Sequence, residues 1–296
     1  FSAPVVVAGQ DVEEVLTSMD MATLFVAPDG DVYVSFLDAR ENIEDRMKAK
    51  PAAEHEGHDM ESGPGPENQL RVVRSTDGGA TWARSVLVAR ATCVCCGTMI
   101  AQGADGPLYA GTRSEWKELK DSKDAVRDPY LSASTDDGAT WGAAVKIHDD
   151  KFKVSGCPDV ASGLAVDSGG RLHAAWYTGT DSHPGVYYAV SDDEGKTFSA
   201  PIALLRDEWI PYGDVKLAVD GEDHAWVAFE DRRSEFDQVR VVRIDPAGKV
   251  SFSKTWPGTI PSISTGEDWA AVAWQAVERD EAKPTSLSLR VARPGK

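Results

Sequence analysis

One eight-residue pattern occurs three times in this chain and constrains its fold more than any other feature. The three copies are STDGGATW at 75–82, STDDGATW at 134–141 and SDDEGKTF at 191–198, and each reads Ser-x-Asp-x-Gly-x-Thr followed by Trp or Phe. A degenerate fourth segment, RIDPAGKVSF at 243–252, retains an aspartate and a glycine. The pattern predicts a β-hairpin turn, because the aspartate can accept backbone N–H bonds and the glycine can adopt a positive φ.

Strand-like segments recur around these turns. An apolar strand, an Asp/Gly turn and an alternating strand that ends near an aromatic residue occur five times, at 24–38, 99–113, 163–178, 215–231 and 261–275. Third and fourth strands follow in each unit except the fifth, which ends at Lys296 without a fourth strand. We therefore predict an all-β chain of four-stranded antiparallel units, with residues 1–296 as a single domain and a long loop insertion at about 39–69.

The first nine residues repeat part of a later unit. FSAPVVVAG at 1–9 resembles FSAPIALLR at 198–206, which is the fourth strand after the third turn motif. We predict that the N-terminal segment supplies the missing fourth strand of the last unit, because a ring of sheets must close or leave an exposed edge.

The repeat resembles the Asp-box, or BNR, repeat of the sialidase superfamily. The run CVCC at 93–96 is similar to a C-x-C-C cluster in an exported bacterial branch of these proteins. The resemblance implies a β-propeller in which the Asp-boxes are structural and lie away from the active site. Sialidases usually have six blades, whereas five are counted here, so both five and six blades remain open.

The composition of the chain limits the binding partners and the cellular compartment that we predict. A formal net charge of −17 argues against nucleic acid and anionic membrane surfaces as partners. No apolar run is long enough to span a membrane. The chain does not begin with Met and has four cysteines, a number that permits two disulfides in an oxidising compartment, so we predict a periplasmic or secreted protein.

Sulfur and imidazole side chains collect in the loops that a propeller brings to one face, called the mouth below. Thiolate, thioether and imidazole ligands suit copper or zinc better than magnesium or calcium. We therefore predict a metal site with copper favoured and zinc as the alternative. The candidate ligands are Cys93, Cys95, Cys96, Cys157, His55, His58, Met60 and His148.

The cysteines also have structural interpretations. Cys95 and Cys96 are adjacent, and a disulfide between adjacent residues is strained, so a bridge from one clustered cysteine to Cys157 is favoured. The four cysteines would then divide between a disulfide and metal ligation. A further alternative is that all the cysteines only form structural disulfides between loops. In that case we predict that the mouth is the surface that binds an exported protein partner. The run CVCC is not expected to act as a thioredoxin-like C-x-x-C motif.

The resemblance also makes a divergent sialidase-like glycoside hydrolase, or a glycan-binding protein, an alternative function. Sialidases clamp the substrate carboxylate with three arginines, and the inner strands here begin without arginine. Catalytic residues therefore stay unassigned, and whether the protein is an enzyme stays open. Trp209 and Tyr212 are candidates for stacking on a sugar, and packing between blades is the slightly favoured alternative. The arginines expected near the mouth are Arg40, Arg113, Arg127, Arg206, Arg232 and Arg233.

Overall fold

The structure is a computed structural model, and it describes residues 3–7, 19–40, 68–93, 95–114, 125–154, 158–276 and 286–292. All twenty-one elements in this part of the chain are β-strands, which confirms the predicted all-β class. The described ranges contain no helix that could cross a membrane.

In the described residues, five sheets of three or four strands follow one another, and each is antiparallel with its strands side by side in sequence order. Sheets I to IV have four strands and sheet V has three. Sheet I contains β1 (Met19–Val26), β2 (Val32–Asp38), β3 (Gln69–Ser75) and β4 (Val86–Arg90). Sheet II contains β5 (Met99–Gln102), β6 (Leu108–Arg113), β8 (Pro129–Ser134) and β9 (Val145–Lys146).

Sheet III contains β11 (Gly163–Val166), β12 (Leu172–Thr178), β13 (Gly185–Ser191) and β14 (Ile202–Arg206). Sheet IV contains β15 (Val215–Val219), β16 (Ala225–Asp231), β17 (Gln238–Ile244) and β18 (Val250–Pro257). Sheet V contains β19 (Thr259–Thr265), β20 (Ala270–Ala276) and β21 (Ser286–Ala292). A separate two-stranded ladder joins β7 (Ala125–Val126) to β10 (Lys153–Val154).

The three copies of the repeated pattern form turns with the same hydrogen bonds. In the first copy, Asp77 accepts the Thr81 backbone N–H at 2.8 Å and the Thr81 hydroxyl at 2.6 Å. Gly79 has φ 89°, a conformation that favours glycine. These distances recur at Asp136 with Thr140 and at Asp193 with Thr197.

Apolar clusters between consecutive sheets form the core. Tyr33 and Leu108 pack between sheets I and II, and Trp176 packs between sheets II and III. Phe229 lies between sheets III and IV, and Trp274 between sheets IV and V. The inner strands β1, β5, β11, β15 and β19 pack in that order. This succession of face-to-face sheets is the propeller-type arrangement that the repeats predict.

The predicted closure by the N-terminal strand is not met in the described residues. Residues 3–7 form no strand, and sheet V remains three-stranded. Val7 instead packs against an apolar cluster that contains Phe36 in β2 and Trp82 in the turn between β3 and β4. Leu287 in the edge strand β21 is 79% exposed. Among the described strands, β19 and β1 do not pack against each other as the other inner-strand neighbours do.

Candidate functional site

The connections that enter the inner strands hold two groups of chemically distinctive side chains. Residues 91–98 join β4 to β5 and contain the cysteine run. Residues 207–214 join β14 to β15 and contain Trp209 and Tyr212. The two connections are equivalent in the repeat, yet one gathers sulfur atoms and the other gathers aromatic rings.

Three sulfur atoms form a compact group in the first connection, which we call the thiol cluster (Cys93, Cys95 and Cys96). Their Sγ atoms all lie within 4.8 Å of one another. Cys93 and Cys96 are buried free thiols, and Cys95 is disulfide-bonded. The Cys96 thiol donates to Cys93 Sγ at 2.9 Å, and Cys93 Sγ lies 3.6 Å from Cys95 Sγ.

Backbone contacts hold the thiol cluster between sheets II and III. The Cys93 N–H donates to the Arg113 carbonyl at 2.8 Å, and the Gly97 N–H donates to the Val160 carbonyl at 3.3 Å. A Cβ at Gly97 would lie 2.7 Å from Ala161 Cβ, so only glycine fits at this approach. The connection therefore cannot shift easily, and the sulfur atoms are held in a fixed relation.

The pKa values of the two free thiols are shifted in opposite directions. The hydrogen bond from Cys96 lowers the pKa of Cys93 to about 6, against the opposing effect of burial and with help from the positive charge of Arg127. The pKa of Cys96 is raised because its proton is held by Cys93, and burial adds to this effect. A single negative charge at this pair therefore belongs on the Cys93 sulfur.

The run CVCC does have C-x-x-C spacing. Cys93 and Cys96 are separated by two residues, so they have that spacing, with Cys95 as one of the intervening residues. The third cysteine between Cys93 and Cys96 makes this spacing easy to overlook in the sequence. In the structure the sulfur atoms of Cys93 and Cys96 are in direct contact.

The structure does not bring His148 to the sulfur atoms. Its Nδ1 is hydrogen-bonded to Asp150 Oδ1 at 2.8 Å, and its ring stacks on Trp176 with 5.7 Å between centroids. Asp150 also accepts the Trp176 indole N–H at 2.7 Å and lies 3.3 Å from His183 Nε2. Among the described residues, His148 therefore contributes no ligand atom to the group formed by Cys93, Cys95 and Cys96, and its role as a metal ligand stays a prediction. Cys157, His55, His58 and Met60 lie outside the described residues.

The second connection borders an open cavity of about 590 Å³, which we call the aromatic cavity. Trp209 is 68% exposed and Tyr212 is 40% exposed. Tyr212 meets the ring of Tyr177 edge to face, with 5.9 Å between centroids. The Tyr177 hydroxyl donates to the Ile210 carbonyl at 2.7 Å, which fixes the floor beneath Tyr212. The rings predicted to stack on a ligand are thus partly exposed and lie together.

The charged groups around the aromatic cavity are mostly acidic. Asp181, Glu208 and Asp237 line it together with Lys153 and Arg232. Arg232 Nε lies 3.3 Å from Asp237 Oδ2, so this cation is already paired with a carboxylate. The cavity is thereby better suited to a neutral ligand than to an anionic one.

Several arginines near the mouth serve the structure. Arg113 is buried, and its guanidinium donates to the carbonyl oxygens of Arg127 and Tyr177. Arg233 pairs with Asp231 and Asp207. Neither Arg113 nor Arg233 lines the aromatic cavity.

Comparisons with known proteins support the fold. No protein-family profile matches the chain, and no curated protein matches its sequence. A Hadza microbial sialidase has a similar structure, with a TM-score of 0.56, 13% identity and coverage of 98% of this chain and 56% of that one. The chain thus spans a little more than half of that sialidase.

Two fungal enzymes are similar as well. An α-L-arabinofuranosidase from Fusarium graminearum gives a TM-score of 0.53 at 14% identity and covers 92% of this chain and 76% of that one. An α-L-arabinanase from Penicillium chrysogenum, solved with arabinobiose, gives 0.51 at 12% identity and covers 91% and 76%. At these identities the likeness concerns the fold, which is a sialidase-like propeller fold.

Proposed function

We propose that this protein binds carbohydrate in the aromatic cavity, with Trp209 and Tyr212 as the stacking surface. The observation that carries the proposal is the exposed indole of Trp209 beside the exposed ring of Tyr212. Large aromatic side chains are rarely left exposed together without a binding role. The structurally similar sialidase, arabinofuranosidase and arabinanase are named for activities on carbohydrate, which favours the same ligand class here.

The charged side chains around the aromatic cavity favour neutral sugars over anionic sugars as its ligands. A sialoside carries a carboxylate, and beyond the Arg232–Asp237 pair the cavity offers two carboxylates, Asp181 and Glu208, against the single cation Lys153. Uncharged sugar hydroxyls can bond to Asp181 and Glu208, while the apolar faces of sugar rings cover the indole. Covering a side chain of this size contributes about 1.5–3 kcal/mol.

Calorimetric titration tests the proposal with arabinobiose as the neutral probe and sialyllactose as the charged one. We expect binding of the neutral probe, at least tenfold weaker binding in Trp209→Ala, and no change in Leu289→Ala, whose side chain is exposed on β21. A fluorogenic sialoside should not be cleaved. Unchanged affinity in Trp209→Ala, or a preference for sialyllactose, contradicts the proposal.

The thiol cluster supports a second proposed function, copper binding. Thiolates favour Cu(I), and two buried free thiols can supply a low-coordinate site. Zinc fits less well, because it needs four ligands and the described residues group only three cysteines, one of them in a disulfide. Cys93 and Cys96 would hold the ion, and Cys95 would join only after reduction.

Copper loading tests this second function. After incubation with Cu(I) under reducing conditions and removal of excess ion, we expect about one bound copper per chain by elemental analysis. The variant Cys93→Ala should lose it and Trp209→Ala should retain it. Absence of bound copper in the reduced protein contradicts the proposal.

An oxidising compartment fits both functions. The disulfide at Cys95 is typical of the periplasm or the extracellular space, and we propose that the protein works there. A protein partner at the mouth is the remaining alternative, and it would be favoured if neither sugar nor copper binds.

A further inference from the structure

We infer that the ligand of the aromatic cavity is an oligosaccharide chain that continues into a second cavity beside it. The inference rests on the proposed carbohydrate binding, and it adds the length of the ligand and a second binding subsite. The second cavity, which we call the polar cavity, has a volume of about 480 Å³. Its lining residues are Asp181, Ser182, Pro184, Arg206, Asp207 and Glu208.

The two cavities are neighbours that share part of their lining. Asp181, Pro184 and Glu208 line both of them. The side chains of Asp181 and Glu208 are exposed, so a ligand chain can pass beside them from one cavity to the other. Because both cavities are open to solvent at this point, one chain can occupy them together.

The same two connections build both cavities. Residues 179–184 join β12 to β13, and residues 207–214 join β14 to β15. Along the second connection, Asp207 lines only the polar cavity, Glu208 lines both cavities and Trp209 lines only the aromatic cavity. The step from one cavity to the other therefore follows consecutive residues, which keeps the two subsites side by side.

Hydrogen bonds and an ion pair fix the wall of the polar cavity before a ligand arrives. The Ser182 hydroxyl lies 2.6 Å from His183 Nδ1, and the His183 carbonyl accepts the Tyr187 hydroxyl at 2.9 Å. Asp207 pairs with Arg233. A wall that is already ordered loses little conformational freedom when a ligand binds, and this favours affinity.

Three charged side chains of the polar cavity are available to a ligand. Arg206, Asp181 and Glu208 are exposed, and none of their side chains forms an ion pair or a hydrogen bond with another described residue. A guanidinium only donates hydrogen bonds and an ionised carboxylate only accepts them. Neighbouring hydroxyls of a sugar ring both donate and accept, so one sugar unit can bond to groups of both charges.

The two subsites would bind a chain by different contacts. None of the residues lining the polar cavity is aromatic, so this subsite offers hydrogen bonds, whereas the aromatic cavity offers the stacking surface of Trp209 and Tyr212. Each volume lies within the range of about 300–1,000 Å³ that is typical of small-ligand pockets. We expect a disaccharide to occupy the aromatic cavity alone and a tetrasaccharide to reach the polar cavity as well.

Calorimetric titration of the whole chain with arabinobiose and arabinotetraose tests the inference. In the wild type we expect at least tenfold tighter binding of arabinotetraose, a gain larger than the statistical advantage of a longer chain. In Arg206→Ala the ratio of the two affinities should approach unity. Ser182→Leu places an apolar side chain in the polar cavity and should lower the ratio as well. The matched control Arg84→Ala replaces an exposed arginine that lines neither cavity and should keep the wild-type ratio.

Equal affinities for the two sugars in the wild type overturn the inference. A gain that persists in Arg206→Ala also overturns it, and Ser182→Leu takes the place of that variant should Arg206→Ala fail to fold. In these cases the binding of arabinobiose and its dependence on Trp209 can still hold, so the proposed function survives the failure of the inference. If neither sugar binds to the wild type, both are refuted together.

Discussion

Replacement of Trp176 by phenylalanine tests whether the Asp150 network stabilises the packing between sheets II and III. The Trp176 side chain is fully buried, and its indole N–H donates to Asp150 Oδ2 at 2.7 Å. The Trp176 ring stacks on the His148 ring, with 5.7 Å between centroids, and on the Tyr187 ring, with 6.0 Å between centroids. Phenylalanine keeps an aromatic ring at this position but has no N–H.

Two losses set the size of the effect. A hydrogen bond to a charged group contributes about 1.5–3 kcal/mol, and Asp150 is too buried for water to replace the lost donor. The smaller ring also removes buried apolar surface, which costs about 1 kcal/mol more. We therefore expect Trp176→Phe to lower the free energy of unfolding by about 3 kcal/mol.

The assay is urea unfolding followed by circular dichroism, with the free energy taken from the midpoint and the slope. The matched control is Trp209→Phe, the same substitution at an exposed position, which should change the free energy by no more than about 0.5 kcal/mol. A double-mutant cycle with Asp150→Ala should show a coupling of at least about 1 kcal/mol. If Trp176→Phe destabilises the protein no more than the control, the indole–carboxylate bond is not a stabilising contact.

Two further predictions concern a close approach and a titration. Gly163→Ala should cost about 1–3 kcal/mol in urea unfolding because its Cβ would lie 2.6 Å from Leu217 Cβ, whereas Gly106→Ala, with no atom within 4 Å of its Cβ, should be nearly neutral. Cys96→Ala should raise the pKa of Cys93 from about 6 towards its usual range, as read from the ultraviolet absorbance of the thiolate, because the lowered pKa depends mainly on the Cys96 donor. The pKa of Cys93 in the folded protein lies below that of a cysteine in the unfolded chain. The free energy of unfolding of the wild type should therefore fall as the pH falls from 9 towards 6, and that of Cys96→Ala should fall less. Equal costs for the two alanines, or an unchanged titration, would contradict these predictions.

The frame of the fold is predictable because its signals are local. Each turn is fixed by side chains within eight residues, as Asp77, Gly79 and Thr81 show, and alternation along a strand reports which face is buried. Three copies of a turn with regular spacing then leave few topologies. The sequence also predicts correctly that Trp209 and Tyr212 share a connection, because they are close in the chain.

The parts that the sequence could not predict depend on contacts between distant segments. Nothing near His148 in the chain shows that Trp176 will stack on its ring or that His183 will approach Asp150. The similarity of the N-terminal segment to another fourth strand favours pairing with sheet V, yet Val7 packs on sheet I. Similar strands fit several sheet edges equally well, so strand propensity cannot choose between them.

The placement of both candidate sites follows from how the sheets pack. The core lies mainly between sheet faces, and the connections into the inner strands add only single residues to it, such as Val160 and Ile210, so the rest of each connection can differ from one unit to the next. Arg113 nevertheless joins two of these different connections. The backbone carbonyl of Arg113 accepts the Cys93 N–H, and its guanidinium donates to the backbone carbonyl of Tyr177. The ring of Tyr177 in turn contacts the ring of Tyr212. The thiol cluster and the aromatic cavity are therefore linked through one buried residue, because the backbone of Arg113 holds the first connection and its side chain holds the backbone of Tyr177 at the floor of the second.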